Sequence, residues 1–191
     1  MAVVYCVAAI ACLFAATWCY RINVPNRQAI NAVAAEQGLL TPERMWPSYD
    51  ANYLNAFIAK VRSRQTADGK NSLERYTHPT LLWIDVGFAV FCGAFAALFW
   101  LTFLEVLPDY RFVKSALLFL IAMSVMYGVI DVGEDLWLAR LFSRDAQVSK
   151  FDGFIACALT ETKIVTISLS VVGGALFKVL DVSFSRENSK P

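Results

Sequence analysis

Asp85, Asp131, Glu134, Asp135, Glu161 and Lys163 all fall inside stretches otherwise apolar enough to cross a membrane. An acid or lysine at the centre of a bilayer helix costs roughly 2.5–3.5 kcal/mol on insertion scales. Such residues are kept where they pair, titrate or line a polar space, and three kinds of chemistry follow. Asp131 or Glu134 pairs with Lys163 and fixes helix register, a structural or accessory role. The same groups form a relay for proton- or cation-coupled transport. Or the carboxylates form a site that acts on a lipid, either by binding Mg²⁺ or Mn²⁺ or by acid–base chemistry. The residues alone leave these open, with the structural role first and the membrane enzyme last.

Helical geometry groups the residues further. At 100° per residue, Ser124, Tyr127, Glu134, Asp135 and Leu138 lie within about 60° of Asp131. Thr160, Lys163, Thr166 and Ser170 form a second stripe with Ala156 and Gly174, and Glu161 points away from it. Asp85 shares a face with Ala89, Cys92, Gly93 and Ala96, small groups that let helices approach closely. The predicted cluster is therefore Asp85, Tyr127, Asp131, Glu134, Asp135, Thr160, Lys163 and Thr166. Asp131 lies twelve residues before Ser143 and Lys163 eleven after Asp152, which sets them at one depth. One lysine among four carboxylates leaves a large excess of negative charge in a low dielectric. Protonation, a bound cation or entering water must offset it.

Four spans must position these groups, at about 2–20, 80–103, 113–142 and 153–179. The 191 residues are 58% hydrophobic and 17% charged, with mean hydropathy +0.50; soluble domains carry about 25% charged residues. Short links at Pro108-Asp109 and 143–152 make neighbouring helices antiparallel. The fold expected is an all-α membrane protein, a single domain over 1–191. It is a four-helix transmembrane up-down bundle with a helical loop at 21–79 and a polar tail at 180–191. The first span lacks a basic leader and a cleavage site, so it reads as a retained helix. Within the loop, 26–37 reads as a helix stopped by Gly38. Thr41-Pro42-Glu43 reads as a helix start, 48–65 as an amphipathic helix and 67–71 as a turn. The loop is expected on the membrane surface or over one end of the bundle. Eight basic residues place it on the cytoplasmic side by raw count, although loops this long follow that rule poorly.

Asp131-Val-Gly-Glu134-Asp135 after an apolar helix resembles the Asp-x-x-Glu-Asn motif in span three of a group of small four-span bacterial membrane proteins. The group also carries an acid early in span two and a lysine in span four, like Asp85 and Lys163. Asp135 departs from the motif's Asn and adds an acid. The resemblance implies the architecture and a cell membrane, the bacterial inner membrane, but no activity.

Other chemistries have little support. The five cysteines sit in apolar blocks without a CxxC, and buried cysteine mostly acts as a small hydrophobe. His78, the single histidine, reads as an interfacial capping residue beside Pro79. No cofactor is expected, since there is no Gly-rich phosphate loop and no histidine or cysteine metal set. A net charge of +1 without a basic run argues against nucleic acid. The expected partners are the lipid bilayer and either a second copy or a partner membrane subunit. Glu161 and the Gly173-Gly174 pair are candidate contacts for such a subunit.

Overall fold

The computed structural model describes residues 1–45, 49–66, 69, 71–107 and 111–187, with side chains described through Gly173. The expected turn at Pro108-Asp109 and the polar tail beyond 187 lie outside the described residues, as do 48, 67, 68 and 70. The protein is all-α. Helix α1 runs Ala2–Glu36, a short 3₁₀ turn covers Pro42–Arg44, and α2 runs Ala51–Arg62. Helix α3, Ser72–Arg75, leads through widely wound turns at Tyr76–Asp85 into α4, Val86–Val106. Helices α5 and α6 run Arg111–Phe142 and Lys150–Glu187. Among the described residues, four helical stretches are long and apolar enough to cross a membrane: Ala2–Glu36, Ser72–Val106, Arg111–Phe142 and Lys150–Gly173. This is a membrane-embedded bundle.

The largest departure from expectation is in α1. The sequence reads as a span ending near residue 20 and a separate helix from residue 26. Instead one 35-residue helix runs unbroken through Pro25. Proline removes one intrahelical hydrogen bond, a loss that membrane helices tolerate when the freed carbonyl finds another partner. The buried face explains the continuity. Ala9, Ala16, Asn23 and Ile30 are buried and recur every seven residues, two turns apart, on both sides of the proline. At 1.5 Å per residue the helix is about 52 Å long, well beyond a hydrocarbon core of about 30 Å. The second span also starts earlier than expected. It continues through Pro79, bent where His78 takes an extended backbone (φ −133°, ψ 118°), as residues before proline prefer.

Helix α4 packs between α1 and α5, and α5 packs against α6; among the described residues α1 and α6 share no extended contact. The α4–α5 crossing is close because Gly93 faces Gly128. A Cβ on Gly93 would stand 3.0 Å from Gly128 Cα and 3.2 Å from Ser124 O. Gly93→Leu is therefore expected to cost about 1–3 kcal/mol by overpacking, read as a lower thermal midpoint in detergent. Gly133→Ala is the control, because its Cβ meets only Leu159 Cδ2 at 3.9 Å.

The two ends of the bundle differ. Towards one end the helices display exposed Val7, Phe14, Phe99, Phe119, Val129 and Val172. The other end is a folded cap with a core of its own. Ile30 and Ala34 of α1, Leu54, Phe57 and Val61 of α2, Leu81, and Leu138 and Leu141 of α5 are all buried there. Phe57, Tyr76 and Phe142 form an aromatic triad with centroids 5.5–6.1 Å apart. Helix α2 begins where Asp50 accepts from Tyr53 N at 2.8 Å, and α3 where Asn71 accepts from Leu73 N and Glu74 N. Arg62 donates to Phe142 O and Arg144 O and pairs with Asp145 at 2.9 Å. It thereby satisfies carbonyls that the end of α5 leaves open. The loop thus caps the bundle, one of the two placements expected of it.

Candidate functional site

The cluster sits where the apolar ends meet the cap, and it is built from two hydrogen-bonded chains. The first centres on Lys163 of α6. Its ammonium pairs with Asp131 Oδ1 at 2.9 Å and with Glu134 Oε2. Thr160 donates to Glu134 Oε1, so both oxygens of this carboxylate, 1% exposed, are engaged. Tyr49, from the chain entering α2, bonds Thr160 Oγ1 at 2.9 Å. Burial, more than the nearby Glu134 charge, pushes the Tyr49 phenol up. A protonated phenol can donate to Thr160, whose single hydrogen is within reach of Glu134 Oε1 and of Ala156 O on its own helix. The order is Tyr49 to Thr160 to Glu134 to Lys163 to Asp131.

The second chain centres on Asp85, where the wide turns become α4. Asn23 Nδ2 donates to Asp85 Oδ1 at 2.7 Å, and Arg27 reaches Asp85 Oδ2 at 3.4 Å. The same Arg27 nitrogen pairs with Glu43 Oε1 at 3.3 Å, and Tyr76 donates to Glu43 Oε2. Four of the five carboxylates near this boundary are therefore paired or hydrogen-bonded. Arg27, Glu43, Asp85, Tyr127, Asp131, Glu134, Asp135 and Lys163 all line one cavity of about 110 Å³ with Phe88 and Leu138.

Of the predicted residues, Asp131, Glu134, Thr160 and Lys163 are brought into contact, and Asp85, Tyr127 and Asp135 face the same cavity. Thr166 is buried, but its hydroxyl returns to Thr162 O and Lys163 O of its own helix, so it lies outside the network. Asp85 takes its counter-charge from Arg27, not Lys163. Glu161 is exposed beside Cys157, and the Arg140 guanidinium lies over Trp137 at 5.0 Å. His78 is exposed and accepts from Trp83 Nε1 at 3.1 Å. It borders open grooves on either side of α3 rather than the cavity.

Asn23, Arg27, Glu43, Tyr49 and Tyr76 are absent from the cluster read in the sequence. For Asn23 and Arg27 a signal existed. Extended through Pro25, the seven-residue repeat of α1 carries Asn23 on the buried face, and Arg27 follows one turn later. Glu43, Tyr49 and Tyr76 come from the cap and carry no local mark.

No family model matches this chain. Neither do the curated proteins or solved structures compared with it.

Proposed function

We propose that the protein is a structural or accessory membrane module whose polar layer locks a helical cap onto a transmembrane bundle at the bilayer edge. The observation that supports this most is the reach of the two chains. Between them they join α1, the Glu43 turn, the entry to α2, the wide turns before α4, α5 and α6. A misregistered helix would leave a charge buried and unpaired, a cost of several kcal/mol. Register is thus specified by groups that contribute little net stability.

Segment length supports a bilayer edge at this layer. Residues 2–22 of α1, 86–106 of α4 and 112–130 of α5 each come close to the ~20 residues a hydrocarbon core requires. Asn23, Asp85 and Asp131 follow directly at their cap-side ends, and Lys163 does so on α6. The charges then sit near headgroup water, where insertion costs least. The four-span resemblance agrees with a bacterial inner membrane, and the exposed apolar flanks suit lipid, a second copy or a partner subunit.

Transport of a proton or cation is the second reading, favoured by the charged cavity and by Asp135, which neither chain engages. Reconstitution into liposomes separates the two. A locking role expects an imposed pH gradient to decay as slowly as in protein-free vesicles, with or without sodium or potassium. A faster decay that Glu134→Gln abolishes, in a variant that remains folded, would overturn it in favour of transport.

A further inference from the structure

The polar layer leaves one carboxylate without a partner. Its cavity, about 110 Å³, is lined by five carboxylates and two cationic side chains. Both cations already form ion pairs: a terminal nitrogen of Arg27 with Glu43 and Asp85, its Nε staying buried without a partner, and Lys163 with Asp131 and Glu134. Asp135 is 6% exposed, lines this cavity, and has its Oδ2 buried without a hydrogen-bond partner. A buried carboxylate oxygen in that position needs a donor or a positive charge within reach.

We propose that the cavity binds a small protonated amine, an ammonium-class cation that donates N–H hydrogen bonds to Asp135 and rests against Phe88 and Tyr127. Three features favour this occupant. Among the described residues no three His, Cys, Asp or Glu side chains are grouped so as to hold a metal ion. An ammonium group does not need that convergence, because its several N–H donors point in different directions and each needs a single acceptor. Phe88 and Tyr127 line the same space, and aromatic faces attract cations most strongly in desolvated sites. The volume has room for roughly three or four water-sized groups. That admits ammonium or methylammonium and leaves little space for a fully alkylated cation. Lys163 already shows the chemistry from within, an ammonium held between two of these carboxylates. The site is independent of the locking role, since Asp135 belongs to neither chain.

The test uses the full-length protein in mild detergent at neutral pH. Its thermal midpoint is followed against methylammonium chloride, with sodium, potassium and tetramethylammonium chlorides at matched ionic strength. The expected result is a saturable rise of roughly 3 °C or more with methylammonium alone. Asp135→Asn should abolish the rise while melting, without amine, no lower than the parent. If Asp135→Asn fails to fold, Phe88→Leu carries the test, and its half-saturating methylammonium concentration should increase about 3–10-fold. An equal rise with sodium or potassium would overturn the amine in favour of an alkali ion. Identical curves in all four salts, or a methylammonium effect that survives Asp135→Asn, would overturn the site itself.

Discussion

Lys163→Met is expected to destabilise the protein more than any other single change in the polar layer, by about 3–5 kcal/mol. Two carboxylates depend on this one ammonium. Asp131 Oδ1 lies 2.9 Å from it, and Glu134, 1% exposed, holds it through Oε2. Removing the lysine leaves both acids buried without a cation, and one must take up a proton or the helices must part. Glu134→Gln on its own should cost less, since the amide keeps its contact with Thr160 and Asp131 still pairs with Lys163. The double variant Glu134→Gln/Lys163→Met should be more stable than Lys163→Met, because one of the stranded charges has gone. A coupling energy of at least about 1.5 kcal/mol is expected from the cycle, within the range for residues in one network. Thermal or denaturant unfolding in mild detergent measures it. If all three variants melt with the parent, the pair does not hold the fold, and the locking role fails with it.

Parts of this network were legible in the sequence because they obey helical periodicity. Asp131, Glu134 and Asp135 share a stripe on α5, Thr160 and Lys163 share one on α6, and counting from the link between the helices places the stripes at one depth. Those steps need only rise and rotation per residue. Thr166 passed the same filter and still stands outside the network, because a helical hydroxyl can satisfy itself on its own backbone. Asp85 was found without its partners. The apolar run ends near residue 20, so the sequence reading places Asn23 and Arg27 in the loop. Once α1 is drawn through the proline, both fall opposite Asp85. Glu43, Tyr49 and Tyr76 were beyond reach for another reason. The bond from Tyr49 to Thr160 joins residues 111 apart in the chain, and such a contact follows from how the cap docks, not from any local pattern.

The approach of α2 to α6 in that docking requires a glycine, and Gly153→Val is expected to release the cap. A Cβ at Gly153 would stand 2.7 Å from Ala51 N and 2.8 Å from Ala51 Cα. Those are backbone atoms at the first turn of α2, so no side-chain rotation relieves the overlap, and α2 must lift. The cost of such overpacking is about 1–3 kcal/mol where the structure can adjust. Here the adjustment exposes the face of α2 that buries Leu54, Phe57, Ile58 and Val61. Gly153 and Thr160 lie seven residues apart on one face of α6, and Tyr49 enters α2 directly beside them. Lifting α2 therefore also draws Tyr49 away from Thr160. Two consequences follow. Trypsin should cut at Arg64, exposed just beyond the end of α2, at least several-fold faster in Gly153→Val than in the parent, while the apolar spans stay protected by detergent. Tyr49→Phe, which removes the donor to Thr160, should lower stability in the parent and have little further effect in Gly153→Val, since the bond is already broken. Parent-like cleavage in Gly153→Val, or a Tyr49→Phe effect undiminished by it, would show that the cap and the polar layer are held independently. The two hydrogen-bonded chains would then be separate local features, not a single lock between cap and bundle.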